Sequence, residues 1–88
     1  MRFTFDPAKA ASNLKKHGVS FADAEGVLSD PLAITIEDPD AAGERRYIAI
    51  ELGGAGELLV VVYTERNDDY RLISARPATK KERKQYES

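Results

Sequence analysis

The sequence predicts an α+β domain with two N-terminal helices, an antiparallel sheet of three to four strands plus a short N-terminal strand, and a basic C-terminal helix. Three observations support this fold class. Two helix-capping signals with helically spaced apolar residues open the chain, short β-branched segments separated by turn residues follow, and a further capping signal begins the C-terminal segment. The 88 residues leave room for one small core, so residues 1–88 form a single domain.

The chain begins with a short strand and a first helix. Residues 2–5, RFTF, alternate polar and apolar side chains, as a half-buried strand does. Asp6 and Pro7 provide an N-cap and a proline at the first helical position, and Gly18 provides a C-cap, so a helix is predicted over 8–17. Spacings of four and three residues place on one helix face Ala10, Leu14 and His17.

A second helix is predicted over 21–28. Ser20 can cap it, with Asp23 at the capping-box position. The helix ends at Asp30-Pro31, because the residue before a proline disfavours helical backbone. Its apolar stripe consists of Phe21, Ala24, Val27 and Leu28.

The chain changes from helical to strand-like periodicity beyond Pro31. The β-branched segments predicted as strands are 32–37, 45–52, 57–66 and 70–76. Between them lie the turn-rich residues 38–43, the GGAG sequence at 53–56 and the turn at 67–69. Within the strand at 57–66, the sequence LLVVVYT at 58–64 is apolar at nearly every position, which predicts a central strand covered on both faces.

A final helix is predicted over 79–87. Pro77 ends the preceding strand, and Thr79 and Glu82 form a T-x-x-E capping box. Tyr86 is almost the only apolar residue of this helix, so it is either a surface helix held by few contacts or a helix that moves.

The net charge of −2 hides an uneven distribution of charge along the chain. The segment 20–44 holds acids and no base: Asp23, Glu25, Asp30, Glu37, Asp38, Asp40 and Glu44. The segment 71–84 holds one acid, Glu82, and the bases Arg71, Arg76, Lys80, Lys81, Arg83 and Lys84. This polarity can attract a polyanion to one end and a basic partner to the other, although small proteins often have uneven surfaces without such a role.

Several classes of site are disfavoured by what the sequence lacks. It contains no cysteine and one histidine, which argues against a thiolate nucleophile or a metal centre. It has no G-x-S-x-G motif and no glycine-rich loop between a strand and a helix. No apolar run approaches the roughly 18 residues of a membrane span and no signal peptide is evident, so we expect a cytoplasmic protein without a cofactor.

Three arginines at predicted strand ends are the leading candidates for a functional site. Arg66 and Arg71 flank the turn at 67–69 and should lie near each other, whereas Arg76 lies at the other end of its strand beside the basic helix. Arginine offers bidentate donors that suit phosphate and stay charged. The alternative is that each arginine closes a solvated strand end by a salt bridge to Glu65, Asp68 or Asp69.

Two further side chains have both a chemical and a structural interpretation. His17 can act as a general acid or base, or it can be a helix C-terminal histidine favoured by the helix dipole. Tyr86 can stack on a base or orient a phosphate, or it can anchor the last helix.

Several motifs of the chain together resemble the BrnT family of type II toxins. They are F-D-P-A-K, N-L-K-K-H-G-V-S-F, D-P, E-R-R-Y and R-x-I-S-A-R-x-A-T-x-x-E-R-x-x-Y, and they run from Phe5 to Tyr86 in the family's order and spacing. The blocks K-H-G-V-S-F and I-S-A-R-x-A are the most specific part of the match.

The resemblance implies a compact ribonuclease toxin with a RelE-like fold. It also implies a cognate antitoxin of the BrnA kind, which binds operator DNA, neutralises the toxin and represses the shared operon, with two toxins and two antitoxins in one complex. The residues that match the family's motifs are Lys16, His17, Glu44, Arg46, Arg66, Arg71, Arg76, Glu82 and Tyr86.

The chain departs from the family's pattern at three positions. Phe5 stands where tryptophan is frequent, Pro77 where a basic residue is frequent, and Glu51 where glycine is usual. Pro77 removes one possible phosphate contact, and Glu51 adds negative charge near the sheet.

The resemblance and the basic residues lead to one mechanistic hypothesis, which needs no metal. The ribose 2′-OH of RNA attacks the adjacent phosphate, while Arg66, Arg71 and Arg76 hold that phosphate and His17 transfers protons, with Glu44 and Tyr86 as further catalytic candidates. The predicted RNA-binding residues are Lys16, Arg46, Lys80, Lys81, Arg83 and Lys84. The competing hypotheses are an RNA-binding module without catalysis and a structural subunit of a repressor complex.

Overall fold

The computed structural model describes residues 2–31, 33–38, 43, 45–52 and 57–87. In chain order the elements are β1 (Phe3–Thr4), α1 (Pro7–His17), α2 (Phe21–Ser29), β2 (Ile34–Glu37), β3 (Tyr47–Leu52), β4 (Leu58–Arg66), β5 (Asp69–Pro77) and α3 (Lys80–Glu87). The first two helices begin where the sequence predicts because their caps form. Asp6 accepts a hydrogen bond from the Ala8 amide, and Ser20 accepts one from the Asp23 amide.

The strands of the described residues form one sheet in the order β1-β5-β4-β3-β2. β2 to β5 pair antiparallel with their neighbours, whereas β1 pairs parallel with β5 at Tyr70 and Arg71. The predicted α+β class is therefore confirmed, and the sheet is mixed rather than wholly antiparallel. No local pattern predicts the parallel pair, because it joins the two ends of the chain.

The β4–β5 hairpin turns through Asn67 and Asp68, one residue fewer than predicted. Their φ angles of 50° and 69° are the left-handed values that a two-residue type I′ turn requires, and asparagine and aspartate tolerate them. The predicted GGAG turn at 53–56 lies outside the described residues, as do residues 39–42 of the predicted turn before β3. β3 and β4 nonetheless pair antiparallel from Tyr47 to Leu52, as a hairpin requires.

The main core lies between α2 and one face of the sheet, which we call the helix face. The stripe predicted for α2 supplies Phe21, Ala24 and Val27, and the sheet supplies residues such as Val61 and Leu72. A smaller cluster on the opposite face, the α3 face, contains Leu58, Val60 and Ala78, with Ile48, Ile50 and Tyr86 packed against it. β4 is therefore buried on both faces, as predicted.

The inward face of α1 differs from the predicted one. Leu14 is 52% exposed, and the buried residue of the helix is Asn13. The Asn13 amide nitrogen donates to the Val19 carbonyl at 3.0 Å and to the Ala75 carbonyl at 2.8 Å, and its oxygen accepts from the Ala75 amide at 3.1 Å. A polar residue takes the inward position because it binds backbone groups that a leucine would leave unpaired.

Asn13 acts at this point as a substitute for a strand. β1 pairs with β5 only at Tyr70 and Arg71, so the outward N–H and C=O of Ala75 lie beyond the reach of β1. The side-chain amide of Asn13 presents one donor and one acceptor to Ala75, as a neighbouring backbone would. α1 is therefore held against the edge of β5 by hydrogen bonds and not only by apolar contact.

Replacing Asn13 by alanine should destabilise the protein by about 3 kcal/mol, because three hydrogen bonds are lost and buried backbone groups stay unpaired. Chemical denaturation of wild type, Asn13→Ala and the exposed neighbour Ser12→Ala measures this, with little change expected for Ser12→Ala. Asn13→Asp should be less stable still at pH 7, since its carboxylate would face two carbonyl oxygens. That deficit should shrink as the pH falls towards about 4, where protonation restores a donor. Equal stability of the alanine variant and wild type would contradict this role.

Candidate functional site

The three strand-end arginines lie on the α3 face of the sheet. Arg66 and Arg71 are diagonal neighbours across the hairpin, as the predicted turn requires, and Arg76 lies towards α3. The positions opposite Arg71 and Arg76 are four residue steps apart along β4, which places the two arginines about 13 Å apart along the sheet. The residues opposite them in β4 are Thr64 and Val60.

Arg76 forms a bidentate ion pair with Glu82. Its Nη1 lies 2.7 Å from Oε1 and its Nη2 lies 2.9 Å from Oε2, and Nη1 also donates to the Pro77 carbonyl at 3.2 Å. This pairing lowers the pKa of Glu82 from its ordinary value of 4.5 to about 2, because the guanidinium stabilises the carboxylate. Arg76 thus fixes the start of α3 against β5.

The pair with Glu82 leaves part of the Arg76 guanidinium available. A guanidinium has five N–H donors, and the bonds to Glu82 and Pro77 use three of them. The remaining Nε–H and second Nη2–H point to the same side of the group and form a second fork. Arg76 can therefore hold Glu82 and a phosphate at the same time.

Arg71 has a different environment. It is half-buried, and it forms no ion pair with any residue in the described part of the chain. Thr64, directly opposite, is 1% exposed, and its hydroxyl has no hydrogen-bond partner among the described residues. Asp69, at the turn, accepts two hydrogen bonds from Arg2, which lower the pKa of Asp69. Arg71 is thus a half-buried cation that no carboxylate of the described residues neutralises.

α3 is anchored at both ends and is basic between them. At its start Glu82 accepts a hydrogen bond from the Thr79 amide at 2.8 Å and donates its own amide to the Thr79 hydroxyl, which forms the predicted capping box. Near its end the Tyr86 hydroxyl donates to Glu51 at 3.1 Å, which raises the pKa of Tyr86. A cavity of about 560 Å³ lies against the helix, with Lys80, Lys81, Arg83 and Lys84 in its wall.

Glu51 and Tyr86 take structural positions in this arrangement. Glu51 is only 6% exposed, and its carboxylate accepts the Tyr86 hydrogen bond under α3. The tyrosine ring packs on the apolar cluster of the α3 face. The structure therefore places Tyr86 as an anchor of the last helix, and the negative charge of Glu51 beneath that helix.

His17 and Lys16 lie in a groove between α1 and β5, which we call the α1–β5 groove. Its volume is about 320 Å³, and its described lining residues are Lys9, Ser12, Asn13, Lys16, His17, Ile73 and Ser74. Ser74 pairs with Val62 and so shares the α3 face with Arg71 and Arg76. Ser74 is thus common to the groove and to the sheet face that carries the arginines.

Arg46 and Glu44 are the remaining site residues that the sequence predicted. Arg46 is exposed immediately before β3, at the end of the sheet where Arg66 lies. Glu44 lies outside the described residues. Sequence reasoning missed Lys9, Ser12 and Ser74, although Lys9, Ser12 and Lys16 follow a helical spacing of three and four that could have indicated a shared face.

Comparison with known proteins identifies the family. A family model described as the ribonuclease toxin, BrnT, of a type II toxin-antitoxin system matches residues 5–82. This chain belongs to the BrnT family. The crystal structure of the Brucella abortus ribonuclease toxin BrnT is similar, with a TM-score of 0.69 and 28% identity over 91% of this chain and 99% of that one. No curated protein matches the sequence.

Membership of the BrnT family establishes the general class of activity. The chain is a ribonuclease toxin of a type II toxin–antitoxin system, and its partner is an antitoxin. Within the described part of this BrnT-family toxin, no helix is long and apolar enough to cross a membrane. The same residues contain no group of three or more His, Cys, Asp and Glu side chains that could hold a metal ion.

Stability should depend on pH through the Arg76–Glu82 pair. The pKa of Glu82 is lower in the folded protein than in the unfolded chain, so its contribution is complete above about pH 5 and is lost as the pH falls towards about 2. Because both side chains are partly exposed, we expect a loss of about 1–2 kcal/mol. Denaturation of wild type and Glu82→Gln at several pH values measures this. A difference in stability between the two that stays constant from pH 6 to about pH 2 would contradict the role of the pair.

Proposed function

We propose that this toxin is a metal-independent endoribonuclease in which a ribose 2′-OH attacks the adjacent phosphate. The 2′-oxygen–phosphorus bond forms while the bond to the 5′-oxygen breaks, so the products are a 2′,3′-cyclic phosphate and a 5′-hydroxyl. One group takes the proton of the 2′-OH and another gives a proton to the leaving 5′-oxygen. The protein's task is to hold the phosphate in line and to neutralise its developing charge.

The observation that carries this proposal is the environment of Arg71. Its guanidinium is half-buried and has no carboxylate partner among the described residues. Because a partly desolvated positive charge without a partner is costly, binding of an anion there is favourable. Arg76 adds its second N–H fork on the same sheet face, and Arg66 lies diagonally beside Arg71. Arginines on a sheet are held more precisely than arginines on a loop, which suits a transition state that must be bound in one geometry.

The remaining basic residues of the proposal surround this row. Lys16 and Lys80 assist the arginines, while Lys81, Arg83 and Lys84 attract RNA through the field of α3. His17, in the α1–β5 groove whose Ser74 shares the sheet face of the arginines, transfers protons. Glu44 and Tyr86 stay as lesser catalytic candidates and Arg46 as an RNA-binding candidate, and Tyr86 also holds α3 in place through Glu51.

The partner proposals concern regulation. We expect a BrnA-like antitoxin to cover the site and to bind the operator DNA for the complex. The complex should contain two toxins and two antitoxins in the cytoplasm. Without the antitoxin, toxin activity there would stop translation and growth. The acidic side chains of segment 20–44 are proposed to attract basic residues of that antitoxin. Native mass measurement of the co-expressed complex tests the stoichiometry, and any other ratio excludes it. Expression with and without the antitoxin should give growth arrest and RNA loss only without it.

Arg71→Ala should reduce RNA cleavage about 10²–10³-fold, since one preorganised donor to the transition state is removed. Arg76→Ala should also reduce cleavage, and Arg71→Lys should keep part of the activity because it keeps charge but loses the fork. The matched control is Arg45→Ala, which removes an exposed arginine paired with Glu37.

Cleavage is measured on a single-stranded oligonucleotide with EDTA present, and the ends are identified by mass. RNA with 2′-O-methyl groups throughout should resist cleavage. Cleavage of that RNA, a need for added metal, or wild-type rates in both arginine-to-alanine variants would contradict the mechanism. Salt-sensitive binding without products would indicate a binding module, and no toxicity without the antitoxin would indicate a structural subunit.

The rate of cleavage should vary with pH between about 5 and 8, where a histidine ordinarily changes its charge. His17→Gln should flatten that profile and lower the maximum rate about 10²-fold or more, because general acid–base catalysis contributes on that order. Lys15→Ala, two positions away on the same helix end, should keep the wild-type profile. A flat profile for wild type would exclude His17 as the titrating catalyst.

A further inference from the structure

The α1–β5 groove has a wall built from one stripe of α1. Lys9, Ser12 and Lys16 recur at spacings of three and four residues, so they project from one side of the helix into the same space. Ile73 and Ser74 of β5 line the opposite side. Two ammonium groups and two hydroxyls therefore line one cavity of about 320 Å³, and none of its described lining residues is a carboxylate.

The width of the groove is fixed by Asn13. This residue lies in the groove lining, and its three hydrogen bonds to Val19 and Ala75 hold α1 at a set distance from β5. A surface cleft between a helix and a sheet edge could otherwise widen or close with small shifts of the helix. The groove is thus preformed, as sites for small ligands usually are.

A β-bulge shapes the sheet side of the groove. The register passes from Val62–Ser74 to Tyr63–Leu72, so Ile73 is the extra residue of β5. Bulges bend a strand and re-aim the neighbouring side chains, and they are frequent next to active sites. Here the bulge lies at the point where Ser74 joins the groove to the arginine face.

We infer that the α1–β5 groove is a nucleotide subsite that takes the phosphate and ribose of a residue flanking the cleaved bond in single-stranded RNA. This inference rests on the proposed function, because the cleaved phosphate is placed on the adjacent arginines. Lys9 and Lys16 bind the flanking phosphate as point charges. The hydroxyls of Ser12 and Ser74 bind the ribose, whose 2′-OH both donates and accepts.

The size and composition of the groove favour this occupant over others. A cavity of about 320 Å³ accommodates a nucleotide unit and no duplex. An acidic protein segment would use the lysines but has no particular need of the two hydroxyls. An RNA strand that leaves the groove past Ser74 meets Arg71 or Arg76 on the same sheet face. One sugar-phosphate backbone can therefore occupy the groove and the arginine site together.

The main test measures binding of a single-stranded DNA oligonucleotide, which offers phosphates but cannot be cleaved through a 2′-OH. Binding should weaken in Lys9→Ala and in Lys16→Ala, and each should reduce the slope of log K against log salt by about 0.7, the value for one phosphate contact on a single strand. Lys15→Ala is the matched control, because it removes the same charge from an exposed neighbour outside the groove lining. Its slope should stay near the wild-type value.

A second arm tests recognition of the ribose. In the Arg71→Ala background, where cleavage is slow, Ser12→Ala should narrow the preference for RNA over DNA of the same sequence by about threefold to tenfold, since one hydrogen bond to the 2′-OH is lost. Ser12 is exposed on a helix, so alanine there should not disturb folding. An unchanged RNA-to-DNA preference would exclude the ribose contact.

Three outcomes would overturn the subsite. Equal effects of Lys9→Ala, Lys16→Ala and Lys15→Ala would show a general charge effect, and no effect of the first two would show an unused groove. Normal nucleic-acid binding with lost antitoxin affinity would assign the groove to a protein partner. If wild type binds with the expected slopes but never cleaves, the proposed chemistry fails while the subsite stands.

Discussion

The structure depends on the side-chain amide of Asn13 pairing with the backbone of Ala75. β5 lies between β4 and a two-residue strand, so most of its outer edge would be open without α1. Asn13 closes that edge at Ala75 with one donor and one acceptor, and its third bond ties the chain after Gly18 to the same point. This single residue fixes the first helix, the connection to α2 and the strand that carries two of the candidate arginines.

The Arg76–Glu82 ion pair holds the basic helix α3 against the sheet. The carboxylate of Glu82 binds Arg76 on the strand and caps the start of α3, while Tyr86 reaches the buried Glu51 near its other end. α3 therefore needs almost no apolar surface to stay on the sheet, and its other side chains are left to carry positive charge. The arrangement also explains why a ribonuclease can carry the negatively charged Glu51 beneath its basic helix. The Glu51 carboxylate is buried and accepts the hydrogen bond of Tyr86, which anchors that helix.

The parts of the fold that local patterns encode could be predicted, and the parts that depend on distant pairing could not. Asp6, Ser20 and Thr79 marked the three helix starts, because capping is chemistry within four residues. The parallel β1–β5 pair and the inward turn of Asn13 required knowledge of partners more than 60 positions away. A leucine next to an asparagine looks like the core residue until the open strand edge is known.

In the candidate site, too, local features could be predicted from the sequence and long-range contacts could not. The closeness of Arg66 and Arg71 could be predicted because a turn at 67–69 was evident from the sequence, although the turn is one residue shorter. The division of Arg76 between Glu82 and an open fork could not, because it depends on how α3 docks. Glu82 caps and docks α3 with one carboxylate: Oε1 accepts hydrogen bonds from both the Thr79 amide and Arg76, and Oε2 accepts one from Arg76. Loss of this carboxylate would weaken the cap of α3 and its attachment to β5 together, so the position of the basic wall beside the arginines depends on one acidic side chain.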